Sequence, residues 1–348
     1  MMHRRAAIAL ATLMGLALVV AASAAVIRSK ARSDLLSSGE DAYALNAYPK
    51  AHRAALEVLK QQPNDRQALL LAARSLSRMS RIDRAEPLFE RAGPPFGTED
   101  LHARADGFLN IGRRDEAAEI YRQLLDQAPE DVLALRRLAA LEIARDNVPE
   151  ATRLADRLIG IADGAVIGHT LKGVIAYNGG VFEESAEEFE QVLTLDPNLV
   201  EMPLNPRQMF WGYLANSLLN LGRSSDASRH LRRALNDHPE DASFMDLLAR
   251  CYEHEGKLDQ AVQCWQLASS WDPGLPSPWL NLGNAALRDG DPNEAVRLLG
   301  KAAELAPEAP EPCYGLSLAY RRLGQREKAE HYQRLANQRK SGTAPQSP

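Results

Sequence analysis

A repeating pattern of prolines and small residues is the feature that most restricts the fold of this chain. Six prolines each follow a helix-forming run, and the last three, Pro239, Pro273 and Pro307, are spaced 34 residues apart. An alanine stands twelve residues before most of these prolines, and a second alanine or glycine stands twelve residues earlier still. Self-similarity at such a period indicates an array of stacked structural repeats rather than a single compact core.

The spacing predicts two antiparallel helices in each repeat. Turns such as Leu221-Gly222-Arg223 and Asp289-Gly290-Asp291 lie between the two small sites, and proline stops the second helix. Helices approach one another closely only where small side chains face each other, which the small sites allow. The first-helix small sites are Gly39, Ala105, Ala215, Ala249 and Gly283, and the second-helix small sites are Ala51, Ala117, Ala227, Ala261 and Ala295.

Larger side chains follow the second small site and are expected to fill the gap to the next helix pair. Tyr121, Phe189 and Trp265 each stand four residues after it. With these residues in place, the chain resembles a tetratricopeptide repeat protein, and WLNLGNAALRDGDPNEAVRLLGKAAELAP at 279–307 is close to that family's consensus. The resemblance implies an all-α fold: an α-solenoid, wound as a right-handed superhelix, of about nine helix pairs preceded by one apolar N-terminal helix. The nine repeats are expected to begin at Arg32, Arg66, Thr98, Val132, Val166, Gln208, Ala242, Pro276 and Pro310.

An insert divides the expected repeats into two blocks. Repeats one to five occupy 32–199 and repeats six to nine occupy 208–343, with residues 200–207 between them. The insert contains Pro203 and Pro206, so it cannot be helical throughout. It is either a tolerated loop or a joint between two sub-arrays. Residues 344–348 are expected to form a disordered tail.

Residues 1–31 are predicted to lie outside the repeats as a signal anchor or signal peptide. Residues 6–27 form a run of 22 positions without a charge. As a helix this run would reach about 33 Å, enough to cross a hydrocarbon core of about 30 Å. Basic residues directly after it favour an uncleaved single-pass anchor with the repeat body exported. The small residues Ala22-Ser23-Ala24 leave open a cleaved signal and a secreted or periplasmic protein, and a buried helix is the third interpretation.

Charge and cysteine content exclude several functional classes. The chain has 41 basic and 46 acidic residues, and the first 32 positions hold five of the basic residues and none of the acidic ones. The remainder therefore has 36 basic against 46 acidic residues. A phosphate-binding surface needs a basic excess, so we expect no nucleic acid partner. Three cysteines argue against a disulfide framework.

We expect no catalytic site, metal or cofactor, because no convergent set of reactive side chains is apparent. Cys251, His254 and Cys264 come nearest to a metal set, but they lie on two helices and lack a fourth ligand. The protein is therefore predicted not to be an enzyme. The Lys/Asn/Arg clamp by which chaperone-docking relatives hold a C-terminal carboxylate is not found at matching positions, so we expect no binding of chaperone tails.

Function in such an array is expected on the concave face, which the first helix of each repeat lines. Helical geometry places there the residues one and five positions after the first small site. A row of asparagines offers donors and acceptors to the backbone of an extended peptide without demanding a particular sequence. The alternative is an ordinary solvated helix face. The candidate partner-binding groove consists of Asn216, Asn220, Arg250, His254, Asn281, Asn284 and Arg288, and the same positions in earlier repeats include Arg74, Arg78, Asp106 and Asn110.

The expected function is a protein-protein interaction scaffold that binds an extended peptide or a partner protein in this groove, in the assembly of envelope complexes. The Asn-bearing helix around 281–284 is similar to those of peptide-binding arrays in O-linked N-acetylglucosamine transferases, although the chain has no room for their catalytic domain. The alternative is a substrate-recruiting accessory subunit of a separate enzyme. The identity of the protein or peptide partner is not predicted.

Overall fold

A computed structural model describes residues 2–200 and 207–341 of the chain, except for the side chains of residues 2–21, 24, 207 and 208. These described residues form eighteen α-helices, one short 3-10 turn and no strand. The helices follow one another as nine pairs, and each of the first helices after α1 begins at or within one residue of the repeat start expected from the sequence. The all-α repeat architecture is therefore confirmed.

The chain separates into two compact units, unit 1 (Met1–Gly164) and unit 2 (Ala165–Pro348). The helices of unit 1 are α1 (Met2–Ala44), α2 (Tyr48–Gln61), α3 (Arg66–Arg78), α4 (Ile82–Ala92), α5 (Thr98–Asn110), α6 (Arg114–Gln127), α7 (Val132–Ala144) and α8 (Val148–Ile159), followed by the 3-10 turn Ala162–Gly164. The helices of unit 2 are α9 (Ala165–Asn178), α10 (Phe182–Leu195), α11 (Arg207–Asn220), α12 (Ser224–Asp237), α13 (Ala242–His254), α14 (Leu258–Trp271), α15 (Pro276–Arg288), α16 (Pro292–Leu305), α17 (Glu311–Arg322) and α18 (Arg326–Ser341).

Local sequence signals explain where the first helices begin. An aspartate two residues after the repeat-ending proline caps α3, α7 and α13, because its carboxylate accepts the backbone N–H three residues later. Asp65 accepts from Ala68 at 3.0 Å, and Asp131 accepts from Ala134 at 2.8 Å. Asp241 makes the same bond to Phe244 at 3.0 Å. The cap fixes the direction in which each new first helix leaves the preceding repeat.

Small residues bring the two helices of a pair together, as the spacing predicts. Ala249 and Ala261 face the interior of the seventh pair and are both fully buried. A Cβ added at Gly283 would lie 2.5 Å from Leu299 Cγ, so only glycine fits this crossing. The large residues expected between pairs, among them Tyr121 and Trp265, are fully buried. The core is therefore distributed along the array rather than gathered at one centre.

Arginines in the second helices fasten one repeat to the next. Arg91 donates from Nη2 to the carbonyl oxygen of Pro63 at 2.6 Å, and Arg157 donates to that of Pro129 at 2.6 Å. Both pairs are 28 residues apart in sequence. The carbonyl that the proline-terminated helix leaves unpaired thus receives a charged donor from the following pair.

The first helix extends across the boundary that we expected at residue 31. α1 runs from Met2 to Ala44 without interruption, since neither proline nor glycine occurs between residues 28 and 38. Most side chains of the apolar run 6–27 lie outside the described residues. Among the described residues, no helix combines the length and the hydropathy that crossing a membrane requires. The anchor and signal interpretations are thus unsupported here and stay predictions.

The insert and the tail lie mostly outside the described part of the chain, because residues 201–206 and 342–348 are not described. The helices on either side of the insert, α10 and α11, pack directly on one another. Phe189 and Phe210 meet edge to face with ring centroids 5.2 Å apart, and Ser217 donates to Ser185 Oγ at 2.9 Å. The boundary between the two units lies before the insert, and a domain division at 200–207 stays a prediction.

Candidate functional site

The first helices of each unit form a surface that we call its first-helix face. In unit 1 the first helices are α1, α3, α5 and α7, and in unit 2 they are α9, α11, α13, α15 and α17. All seven groove residues expected from the sequence lie on α11, α13 and α15 of unit 2. Their contacts show which of them are available to a ligand.

One row of the unit 2 face joins two neighbouring repeats through a direct hydrogen bond. Arg250 Nη1 donates to Asn216 Oδ1 at 3.2 Å, and Asn216 Nδ2 donates to the carbonyl oxygen of Gly212 at 2.9 Å. The side-chain amide of Asn284, one repeat further along, makes no hydrogen bond with any described residue. All three side chains are half-buried. The row therefore offers the free amide of Asn284 and the remaining guanidinium nitrogens of Arg250.

A second row lies one helical turn further along the same first helices. Asn220 is exposed and donates to the carbonyl oxygen of Asn216 at 2.8 Å. Arg288 is also exposed, but its Nη1 pairs with Glu253 Oε1 at 2.6 Å. His254 is exposed and makes no hydrogen bond within the described chain. An acidic ligand group would have to compete with Glu253 for Arg288.

The remaining asparagine belongs to a partly buried polar chain that the sequence did not reveal. Asn281 Nδ2 donates to Ser277 Oγ at 3.3 Å, and Ser277 Oγ donates to Asp246 Oδ2 at 2.8 Å. Asp246 is only 7% exposed, and burial raises the pKa of its carboxyl despite the hydrogen bond from Ser277 and the charge of Arg250. Asp246 stands four residues before Arg250, one turn earlier on the same face. Extending the helical arithmetic by one turn would have found it.

The unit 1 face is dominated by charge rather than by amides. Arg74 is 7% exposed, lies 5.0 Å above the ring of Tyr43, and forms ion pairs with three carboxylates. Those carboxylates belong to Glu40 at 2.6 Å, to Asp100 at 3.3 Å and to Glu99. The sequence places Arg74 on a first helix, as the structure does, but it does not predict that neighbouring first helices supply the acids that hold it.

A cleft of about 510 Å³ opens beside Arg74, and residues of α1, α3 and α5 line it. Leu36 and Leu70 contribute apolar lining, whereas Glu40, Glu99 and Asp100 make its wall acidic. Three successive repeats thus share one recess on the first-helix face, so this surface has the depth to take a side chain.

The cysteines and the neighbouring histidine do not assemble into a site. Cys251 is fully buried, and burial raises the pKa of its thiol to about 12, whereas Cys264 is half-buried and His254 is exposed. Within the described ranges, no group of three or more His, Cys, Asp or Glu side chains is arranged to hold a metal ion. The thiols therefore contribute to packing.

Comparison with protein families finds the repeat in both units. Two models, each described as tetratricopeptide repeat, match this chain: one covers residues 36–96 and 214–268, and the other covers 112–173 and 286–335. The matched residues fall within the helix pairs on either side of the insert and leave the apolar N-terminal run outside.

Two curated relatives match this chain over part of their own length. A CTR9 homolog of Arabidopsis thaliana is 26% identical over 302 residues, which cover 76% of this chain and 27% of that protein. The photosystem I assembly protein Ycf3 of Prochlorococcus marinus (strain NATL1A) is 26% identical over 117 residues, covering 30% of this chain and 65% of that protein. This chain thus spans less than two thirds of the length of either relative.

Three solved structures that match this chain include two described as tetratricopeptide repeat proteins. A tetratricopeptide repeat protein from Parabacteroides merdae ATCC 43184 is 17% identical, with a TM-score of 0.49, and covers 70% of this chain and 94% of its own. YrrB, described as a TPR protein with an unusual peptide-binding site, is 19% identical, with a TM-score of 0.45 and coverage of 56% and 96%. MamA is 20% identical, with a TM-score of 0.40 and coverage of 49% and 95%.

Proposed function

Because the chain belongs to the tetratricopeptide repeat family, we propose that it is a non-enzymatic scaffold whose first-helix faces bind an extended peptide or a segment of a partner protein. The observation that carries this proposal is the row of Asn216, Arg250 and Asn284 in unit 2. These residues stand 34 positions apart, one on each of three successive first helices. Protein interaction is the general role of such repeats, and the row supplies the polar groups for it.

The chemistry of the row suits a peptide backbone. An extended peptide presents N–H and C=O groups alternately along a rise of about 3.3 Å per residue. Asparagine amides can pair with both kinds of group, whereas arginine pairs with carbonyl oxygens or with an acidic side chain. The half-burial of Asn216, Arg250 and Asn284 restricts their rotamers, which lowers the entropic cost of ordering them on binding.

The main experiment replaces the four asparagines of the face together. Each neutral hydrogen bond contributes only about 0.5–1.5 kcal/mol, so single variants would hide the effect. We expect Asn216→Ala, Asn220→Ala, Asn281→Ala and Asn284→Ala, combined in one variant, to weaken capture of cross-linked partners tenfold or more. A matched control carries Asn236→Ala and Asn293→Ala, which remove exposed asparagines from the second helices. Full recovery of all partners by a folded quadruple variant would contradict the proposal.

The structure changes one expectation for this variant. Asn216 and Asn281 are half-buried and hydrogen-bonded rather than freely solvated, so the variant should lose some stability. Binding must therefore be measured well below its melting temperature.

The identity of the captured protein separates two roles: a structural partner supports a scaffold in envelope complex assembly, and a catalytic partner supports a substrate-recruiting accessory subunit. The name of the Ycf3 relative, an assembly protein, favours the first role.

The proposed location is a membrane, with residues 6–27 as a single-pass anchor and the repeat body exported. The uncharged run and the basic residues Arg28, Lys30 and Arg32 support this proposal. An anchored protein should stay with the membrane fraction after alkaline carbonate washing and should begin at Met1 or Met2. A soluble exported form that begins near Ala25 would replace the anchor by a cleaved signal peptide.

A further inference from the structure

A buried carboxylate stands at the centre of the charges on the first-helix face of unit 1. Asp106, on α5, is 8% exposed. Its Oδ1 accepts a hydrogen bond from the hydroxyl of Tyr121 at 2.7 Å, and its Oδ2 forms an ion pair with Arg78. Both carboxylate oxygens thus already have a partner, and Arg78 already pairs with the single negative charge of Asp106.

Two more arginines lie beside Asp106 on the next first helix, α7. Arg137 reaches it only at the outer limit of an ion pair, with Nε 3.9 Å from Oδ1, and its side chain is 45% exposed. Arg136 is half-buried, and its guanidinium group makes no hydrogen bond or ion pair with any described residue. Three guanidinium groups thus gather around a single carboxylate.

The charges around Arg136 do not compensate for its burial. The pKa of Arg136 is lowered, mainly by burial and secondly by the neighbouring charge of Arg137. Tyr121 and Asp106 act in the opposite direction but do not outweigh these two causes. A half-buried guanidinium without a partner has lost hydration without gaining a hydrogen bond. Such a group binds a carboxylate strongly, because charge-assisted and bidentate hydrogen bonds restore what burial removed.

We propose that Arg136 and Arg137 form a subsite for a side-chain carboxylate of an acidic peptide that lies on the first-helix face of unit 1. The inference rests on the proposed function, since it assumes that a peptide occupies this face. It goes further by naming an aspartate or glutamate as the residue that unit 1 selects. Arg78 holds Asp106 in place and leaves the two α7 arginines to the ligand.

The surroundings favour one or two carboxylates over a polyanion. The cleft beside Arg74 lies on the same face and carries Glu40, Glu99 and Asp100 in its wall. A phosphate chain extending from the α7 arginines toward α1 would meet these acids. The whole chain also has a formal net charge of −5, which opposes the accumulation of a polyanion. A peptide with a single acidic side chain meets only the local positive charge.

Selection from a displayed library of random octapeptides tests the subsite on the full chain. The library is selected against the wild type, against a variant carrying Arg136→Met and Arg137→Met, and against the control Arg153→Met. Arg153 is an exposed arginine of α8 whose ion pair is with Glu150 on the same helix. We expect the wild type and the control to enrich peptides with Asp or Glu at one position, and the double variant to lose that preference.

Enriched peptides are then synthesised with the acidic residue as Glu and as Gln. Exchange to Gln should weaken binding to the wild type at least tenfold, and binding to the double variant less than twofold. Enriched peptides without an acidic preference would overturn this subsite and leave peptide binding standing. Failure of every protein to enrich any peptide would count against both proposals.

Stability distinguishes a ligand subsite from a structural role for Arg136. Methionine keeps the aliphatic packing and removes the unpaired charge, so Arg136→Met should leave the melting temperature unchanged or raise it. A drop of several degrees would show that Arg136 supports the fold and would overturn its assignment to ligand binding. Arg137→Gln, at the more exposed position, gives a second variant in which a weaker loss of acidic preference is expected.

Discussion

The turns between paired helices place a residue in the left-handed region in every repeat. Glycine occupies that position in six of the nine pairs, whereas Asn46, Ser80 and Asp146 occupy it in the other three. Asparagine and aspartate tolerate positive φ through local hydrogen bonding, but serine has less compensation for the contact between its Cβ and the backbone. Ser80, with φ of 58°, is therefore the least suitable residue among the nine turns.

Ser80→Gly should stabilise unit 1. Relief of the left-handed strain is worth about 1–2 kcal/mol, and the extra freedom of glycine in the unfolded chain returns about 0.5–1 kcal/mol of it. We expect the free energy of unfolding to rise by about 0.5–1 kcal/mol in urea denaturation. The reverse change at the equivalent turn, Gly112→Ser, should lower it by a similar amount. A destabilised Ser80→Gly protein would show that the serine hydroxyl makes a contact that matters more than the backbone.

Asp246 should make the stability of unit 2 depend on pH. Burial raises the pKa of its carboxyl in the folded state, so the protonated form is favoured there. The stability it contributes is full below the unfolded-state pKa, near 4, and is lost as the pH rises through the folded-state pKa. Asp246→Asn keeps the shape without the charge. It should stabilise the protein by about 1 kcal/mol at pH 7, and by progressively less as the pH falls toward 4.

Denaturant titrations of both proteins between pH 4 and pH 8 measure this difference. Asp241→Asn is a suitable control, because Asp241 caps the same helix from a less buried position. An Asp246→Asn advantage that is equal at pH 4 and pH 7 would exclude titration of Asp246 as the cause. An Asp246→Asn protein that is less stable at pH 7 would show that Arg250 and Ser277 depend on the charged form.

The sequence predicted the face of the unit 2 residues but not their partners. A helix of known phase places Asn216, Arg250 and Asn284 in one row, and in the structure Arg250 donates to Asn216 from the next first helix. Ligand binding by this row stays a prediction. Pairing is a different matter, because Glu253 holds Arg288 and Ser277 holds Asp246 from neighbouring first helices. Such contacts depend on the rotation of one repeat relative to the next. The spacing of residues within a single repeat does not determine that rotation.

In the eighth helix pair, packing requires glycine at one position but not at another. Gly283, on α15, faces Leu299 so closely that a Cβ would lie 2.5 Å from its Cγ. Leu299 has no room to move away, because Gly315 packs against its other side. The contact there is so close that a Cβ added at Gly315 would lie 2.8 Å from Leu299 Cδ1. Gly300, the next residue on α16, would present a Cβ with no atom within 4 Å. One glycine is required by packing and the other only weakens its helix.

Gly283→Ala should destabilise unit 2 by about 2–3 kcal/mol, the upper part of the overpacking range, since Leu299 is confined on both sides. Gly300→Ala should stabilise it by about 1 kcal/mol through helix propensity. The two alanine variants have the same composition, so thermal melts of the pair separate packing from propensity. Equal effects of the two substitutions would contradict the close crossing of α15 and α16.

Across the whole molecule, repeats that contact only their neighbours should confine damage to the place where it is made. Ala261 is fully buried opposite Ala249, and Ala261→Leu should force α13 and α14 apart at a cost of about 1–3 kcal/mol. We expect hydrogen exchange to accelerate mainly within residues 208–309, while unit 1 exchanges as in the wild type. Gln263→Leu introduces a leucine at an exposed position of α14 and should change hydrogen exchange neither in residues 208–309 nor in unit 1.

Uniform acceleration of exchange over both units would contradict this local behaviour and would indicate one cooperative unit.

The repeat count and the helix starts were accessible from sequence because period, caps and small sites all agree on them. The division between Gly164 and Ala165 could not be predicted from the sequence. The fourth repeat lacks its terminal proline there but otherwise keeps the repeat pattern of small residues.

The arginine that fastens one repeat to the next also spans the insert. Arg233 donates to the carbonyl oxygen of Pro197, 36 residues earlier, which is the usual 28-residue separation enlarged by eight inserted positions. The fastening of the sixth pair to the fifth therefore makes no use of the inserted residues. Doubling the length of a flexible loop costs only about 0.6 kcal/mol of closure entropy. Evolution, or an engineer attaching an epitope, can thus lengthen the chain here while the neighbouring helices keep their register.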